Sequence, residues 1–199
     1  MEALDSKLSL LADEAASCSR CRLAATRSQV VFSDGNARSS LFLIGEAPGR
    51  EEDLQGRPFV GRSGKLLDKL LWEEMNITRD NYYIANIIKC RPPDNRNPLP
   101  DEVSACRHFL VGQISLIAPK VIIALGNFAA KTILCSEEGI TKLRGNVFDM
   151  NVGNVNLKIV PTFHPSYVLR AGALAMAQMR SDLVRAKKLL LGGHDDIAT

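Results

Sequence analysis

Four of the five cysteines stand at spacings that suit a metal site. Cys18 and Cys21 form a C-x2-C knuckle near the N-terminus, and Cys90 and Cys106 follow with fifteen residues between them. Four thiolates can complete a tetrahedral site, but zinc ribbons usually repeat the C-x2-C knuckle, and the second pair here does not. Nor do the spacings match the common ferredoxin runs. Spacing alone leaves zinc, an iron–sulfur cluster and unrelated buried thiols equally open. The odd count, in a chain without a secretory pattern, argues against a disulfide framework. Cys135 lies outside the set and is expected to be a buried small hydrophobe. His108, two residues past Cys106, is expected on a helix surface rather than on a metal.

A second concentration of chemistry lies at residues 40–67. The apolar run Leu41 to Ile44 stops at Gly45-Glu46-Ala47-Pro48-Gly49, and a charged, turn-rich loop follows with one apolar island, Pro58-Phe59-Val60. An apolar run bounded by Gly and Pro reads as a buried strand. Loops that leave the carboxyl ends of such strands are where open α/β sheets bind ligands. A charged loop holding a lone Phe is a site candidate there. The run Gly61-Arg62-Ser63-Gly64-Lys65-Leu66 is not a phosphate loop, because position 59 is Phe and position 66 lacks the required Ser or Thr.

The elements that must position these residues alternate along the chain. Residues 3–16 carry Leu4, Leu8, Leu11 and Ala15 at helical spacing. After the first strand, Leu67, Leu70, Leu71 and Met75 mark a helix that begins near Ser63 or Gly64. Residues 82–88 form a second strand, rich in β-branched and aromatic side chains. The prolines of residues 89–100 forbid helix or central strand. Pro100, Asp101 and Glu102 then open a helix, where Pro and acidic residues are favoured, with Val103, Cys106, Leu110, Ile114 and Ile117 on its inner stripe. Val121 to Leu125 is a third strand, followed by a short helix to Leu134. Residues 147–150 and 157–162 read as a hairpin about an Asn-Val-Gly-Asn turn. A last helix spans roughly residues 171–191, with Met176, Met179, Leu183 and Leu190 as core packing. Strands alternating with helices predict an α/β fold, a three-layer α/β/α domain with a central, mainly parallel four-stranded sheet.

At 199 residues the chain suits a single domain spanning 1–199, with an N-terminal helix and Cys knuckle. No apolar run is long enough to span a bilayer and no signal-peptide core is visible, so a cytoplasmic protein without a membrane segment is expected. A net charge of +3 is too mild to diagnose nucleic-acid binding. Its placement is more telling, since Arg50, Arg57, Arg62, Lys65, Lys89, Arg91, Arg96 and Arg170 all fall in or beside candidate loops.

The loop carries a resemblance. Gly45-Glu46-Ala47-Pro48-Gly49, Glu52-Asp53 and Gly56-Arg57-Pro58-Phe59-Val60-Gly61 resemble the first motif of the family 4 uracil-DNA glycosylases, the iron–sulfur members of their superfamily. Asn86, within Asn-Ile-Ile-Lys-Cys-Arg-Pro-Pro, is similar to that family's asparagine motif. His164-Pro165-Ser166-Tyr167, with Leu169 and Arg170, is similar to its second motif. With the cysteines, the matches span residues 18 to 170 in order. The resemblance implies hydrolysis of the N-glycosidic bond of uracil in DNA, leaving an abasic site for base-excision repair of deaminated cytosine. It implies a [4Fe-4S] cluster on Cys18, Cys21, Cys90 and Cys106, and uracil-containing DNA, single- or double-stranded, as partner of a monomer.

The resemblance also implies a role for each matched residue. His164 and Glu46 are the catalytic pair. A neutral His164 would donate to uracil O2 as negative charge develops there, and Glu46 would position or deprotonate the attacking water. Gly45, Glu46, Ala47, Glu52, Phe59, Asn86 and His164 would form the uracil pocket. Asn86 offers one acceptor and one donor to N3–H and O4, and Phe59 a face for stacking. The best-known superfamily branch has Asp where Ala47 stands and a thymine-excluding Tyr where Gly49 stands. Here the C5 side is left to Glu52. Ser166, Tyr167, Val168, Leu169 and Arg170 would contact DNA, with residues 167–169 supplying the wedge that replaces a flipped base. Val168 stands where the family more often has Leu. The alternatives are a cluster-bearing relative that links covalently to uracil-DNA and a non-catalytic cluster-bearing DNA-binding module. Such covalent relatives carry a His after the third cysteine, which residues 91–100 lack.

Overall fold

The computed structural model describes residues 2–152 and 155–192. In chain order the elements are α1 (Glu2–Ala16), β1 (Asp34–Gly35), β2 (Leu41–Gly45), α2 (Arg50–Gln55), α3 (Arg62–Met75), β3 (Tyr83–Asn86), α4 (Pro100–Ile117), β4 (Val121–Leu125), α5 (Asn127–Leu134), α6 (Ile140–Leu143), β5 (Phe148–Val152), β6 (Val155–Thr162), α7 (Pro165–Ala171) and α8 (Ala173–Leu190). One sheet runs in the order β1-β3-β2-β4-β6-β5. Its four central strands, β3-β2-β4-β6, are parallel, as expected. The sheet nonetheless has six strands rather than four, because β1 and β5 add antiparallel edges. β1 is two residues long and leaves no pattern to read. β5 is the outer arm of the expected hairpin, whose turn lies partly outside the described residues.

The central strands β2, β3 and β4 are buried along their whole length, as continuous apolar runs covered on both faces require. Alternate residues feed two cores. Phe42, Ile44, Tyr83, Ile122 and Ile159 pack against α1, α4 and α5. Leu41, Leu43, Ile84, Ile123 and Val160 pack against α3, α7 and α8. The result is the three-layer α/β/α arrangement. α4 opens with Pro100 at its first position and Asp101 and Glu102 in its first turn, and it stops at Ala118 in the left-handed conformation. Gly172, at φ +83, separates α7 from α8, so the last helix begins later than its apolar pattern suggests. No helix among the described residues is long and apolar enough to cross a membrane.

Candidate active site

All four parallel strands end on the same side of the sheet. Register places Gly45 beside Asn86 and Leu125 beside Thr162. Each strand therefore delivers a loop to one place, and a cavity of about 670 Å³ opens there. Glu46, Glu52, Phe59, Asn86 and His164 all line it, so residues far apart in sequence converge as expected.

Asn86 forms the polar floor. It ends β3, is only 2% exposed, and its side-chain Oδ1 has no hydrogen-bond partner. Buried polar atoms in folded proteins are almost always paired, so an unpaired acceptor on a residue that lines a cavity invites a donor from a ligand. The neighbouring strand must carry glycine here. A Cβ on Gly45 would stand 2.4 Å from Asn86 Oδ1 and 2.6 Å from Phe59 Cζ.

Phe59 is held from several sides. It is buried and adopts a left-handed backbone with φ 56, which costs on the order of 1–3 kcal/mol for a bulky residue. The surroundings enforce it. Arg79 Nη2 donates to its carbonyl at 3.2 Å while also pairing with Asp68. Glu52 Oε1 accepts from the next two amides, Val60 and Gly61, at 3.1 Å each. Gly64 leaves room for the Phe59 carbonyl, which a Cβ would meet at 1.8 Å. Glu52 therefore braces the loop as well as lining the pocket. Its other oxygen fills the space beside Gly49, where a Cβ would come within 2.8 Å of it.

His164 follows β6 and caps α7, with Pro165 in the helix's first turn. The Ser166 amide can only donate, and it does so to His164 Nδ1 at 3.2 Å; the Ser166 hydroxyl lies 2.8 Å from the same nitrogen. In the neutral ring the proton therefore sits on Nε2. Burial, with a smaller contribution from the Arg170 charge, lowers the pKa of His164 to about 4. The ring stands 5.8 Å from that of Phe59, centroid to centroid. Gly126, at φ +94, lets β4 turn beneath it, since a Cβ there would lie 2.8 Å from His164 Cβ. The strand end behind His164 is anchored by the buried Asp182, which accepts from Thr162 Oγ1 and from Nε and Nη2 of Arg144.

Glu46, just past β2, is half-buried, and desolvation raises its carboxyl above the usual range. On the opposite wall, the 92–99 loop is pinned by Glu102. This fully buried carboxylate takes two bonds from Arg96 and one from the Leu99 amide. Neither the Arg79–Phe59 bond nor the Arg96–Glu102 clamp was legible in the sequence. Gly126 could have been found, as a glycine directly ending a buried apolar run.

The segment expected to contact DNA differs from expectation at one residue. Residues 165–171, between the expected hairpin arm and the last helix, form α7, and Val168 is 1% exposed, packed into the core with α3 and α8. A wedge must project, and Val168 does not. Its neighbours Tyr167 and Leu169 are 43% and 44% exposed, and Arg170 is also exposed.

Cys18, Cys21, Cys90 and Cys106 all line a second, small cavity beside Phe109. Arg27 Nη1 reaches Cys90 Sγ at 3.4 Å, and the Lys89 amide reaches Cys106 Sγ at 3.3 Å. Burial raises both thiols, Cys106 to about 11. Among the described residues, no three His, Cys, Asp or Glu side chains are placed to hold a single metal ion together. Cys135 stands apart and is exposed rather than buried, because it is the left-handed residue closing α5. His108 lies on the outer face of α4 beside Glu14 and Arg20. Lys89, one of the cations in or beside candidate loops, is 1% exposed.

The chain matches the family model of the Uracil DNA glycosylase superfamily over residues 32–186 and belongs to that superfamily. It is 43% identical over 185 residues to a type-4 uracil-DNA glycosylase of Thermotoga maritima, covering 92% of this chain and 94% of that protein. It is 40% identical over 173 residues to a type-4 uracil-DNA glycosylase of Archaeoglobus fulgidus, covering 85% and 84%. A type-5 uracil-DNA glycosylase of Pyrobaculum aerophilum is 27% identical over 167 residues. Within the superfamily the chain's place is with the type-4 members.

Proposed function

We propose that this protein is a uracil-DNA glycosylase that hydrolyses the N-glycosidic bond of uracil in DNA and leaves an abasic site. The observation that carries this reading is the unpaired Asn86 Oδ1, buried beside Phe59 and across from His164. A flipped uracil stacked on Phe59 would present N3–H to that oxygen and O4 to the amide nitrogen. Cytosine lacks the N3 proton and carries an amino group in place of O4, so both contacts would set like against like.

The chemistry follows from charge. As the glycosidic bond breaks, the base takes up electrons and the sugar becomes cationic. His164 is neutral with Nε2–H free, which suits donation to uracil O2 as negative charge develops. Glu46 has the elevated pKa of a partly desolvated carboxylate, and in its ionised form it would orient the water or take its proton. Glu52 and Gly49 share the space on the C5 side, which supports Glu52 as the group excluding a thymine methyl. Tyr167 and Leu169 are the projecting candidates for the wedge, and Arg170 lies beside them to meet phosphate. One chain completes the pocket from its own residues, which supports action as a monomer.

The four gathered cysteines fit a [4Fe-4S] cluster. Such a cluster takes one thiolate per iron, so its ligands surround a cavity and need not converge on one ion. The Arg27 and Lys89 N–H groups are donors suited to thiolate sulfur. The cluster would tie the N-terminal knuckle to α4 and the loop after β3. In the test, oligonucleotides identical except for one uracil, thymine or cytosine are incubated with the protein and treated with alkali. Only the uracil strand should break, and equal breakage of all three would defeat the reading.

A further inference from the structure

Behind Asn86 a polar chain runs through the core from its backbone to the partly exposed Ser33. Lys89 sits one turn of chain past Asn86, and its Nζ donates to the Asn86 backbone carbonyl at 2.8 Å. The same Nζ donates to Gln113 Oε1 at 2.6 Å. Gln113 is itself fully buried on α4, and its Nε2 donates to the Phe32 carbonyl at 3.1 Å and the Tyr83 hydroxyl at 3.2 Å. The Tyr83 hydroxyl continues to Ser33 at 2.6 Å. The Lys89 backbone is fixed separately, its amide donating to Cys106 Sγ and its carbonyl accepting from Val31.

Burying a lysine ammonium is costly unless its protons find acceptors, and apolar residues fill the surrounding core without that cost. What Lys89 adds is a rigid strut. It spans from α4, which carries both Gln113 and Cys106, to the peptide group of the residue whose side chain faces the pocket. Asn86 is the last residue of β3; beyond it the Ile87 and Ile88 amides still donate to the Gly45 and Glu46 carbonyls, while the Asn86 carbonyl itself is held by Lys89. Lys89 therefore fixes the one peptide group at this strand end that carries the pocket-lining side chain.

We propose that Lys89 is a positioning residue that sets the Asn86 amide for recognition of the uracil edge, braced by Gln113. The inference rests on the reading of Asn86 as the base-recognising residue, and the test separates the two. In Lys89→Met the bond to the Asn86 carbonyl is gone while the buried volume is nearly kept. Inhibition by free uracil should weaken about tenfold, the worth of one well-placed hydrogen bond. Affinity for DNA that already carries an abasic site, which has no base to read, should stay as in the wild type. Visible absorption checks that the variant is intact. Lys89→Met/Gln113→Leu removes the brace as well as the lysine, and it should show the same split. In the unmodified protein, saturating free uracil should shift the Lys89 Nζ nitrogen resonance. Wild-type inhibition by uracil in a folded Lys89 variant, equal loss of both affinities, or an unmoved Nζ resonance would overturn the inference. Asn86→Ala, assayed alongside, reports on the underlying reading. If it binds free uracil normally, Asn86 does not read the base, whatever Lys89 does.

Discussion

Substituting His164 by alanine takes away a donor whose direction the structure fixes. The Ser166 amide bond to Nδ1 leaves Nε2–H pointing away from α7 and available to the pocket. Removing one preorganised donor at a site of developing charge costs about 10²–10³ in rate, and that is the loss expected in single-turnover excision from uracil-containing DNA. Affinity for the DNA should change far less, because the donor acts on charge that exists only in the transition state. The pH profile sharpens the test. His164 is held near a pKa of about 4, against about 6.5 for a free imidazole, so it stays neutral across the working range. The acid limb of the rate should instead follow Glu46, whose raised carboxyl must be ionised, and it should vanish in Glu46→Gln. Stability follows the same shift. The unfolded chain takes up the His164 proton near 6.5 and the folded chain only near 4. The contribution is therefore present above pH 6.5 and is lost as pH falls toward 4, about 3 kcal/mol in all. A His164→Ala enzyme within about twofold of wild-type rate, or a wild-type rate that falls as pH rises through 6.5, would refute a neutral donor.

Two further outcomes are expected. Asn86→Asp exchanges the amide donor for an acceptor, so uracil excision should fall by about 10⁴-fold, with weak cytosine excision appearing opposite an abasic gap; unimpaired uracil excision would move base reading to another residue. Anaerobically purified protein should be brown with about four irons per chain. Cys90→Ala or Cys106→Ala should bleach it and Cys135→Ala should not, whereas a colourless active enzyme with stoichiometric zinc would contradict a cluster.

The sequence exposed the parallel core plainly, because strands buried on both faces must be unbroken apolar runs, and Leu41–Ile44 and Val121–Leu125 are. It exposed the pocket because strand-end loops carry polar residues in the company of Gly and Pro. It concealed what depends on packing at a distance. The two residues of β1 hold no period. Pro165 lies just past the expected arm at 157–162 with no helical pattern around it, yet it opens a helix capped by His164. In a seven-residue helix nothing in the local pattern says that Val168 turns inward while Tyr167 and Leu169 turn out. Lys89 sits beside arginines and prolines, and nothing near it in sequence says that it is buried. Only the distant Gln113, together with the Asn86 carbonyl, makes its burial tolerable.

The central claim is that this pocket cuts the bond between uracil and its sugar with water as the nucleophile. The most direct measurement incubates the protein with an oligonucleotide bearing one radiolabelled uracil, then counts free base and protein-bound DNA in the same reaction. Free uracil should appear in equal amount to alkali-labile abasic sites, repeatedly for each protein molecule, with no DNA left attached to protein. No free uracil, or DNA retained on denatured protein one for one, would contradict it.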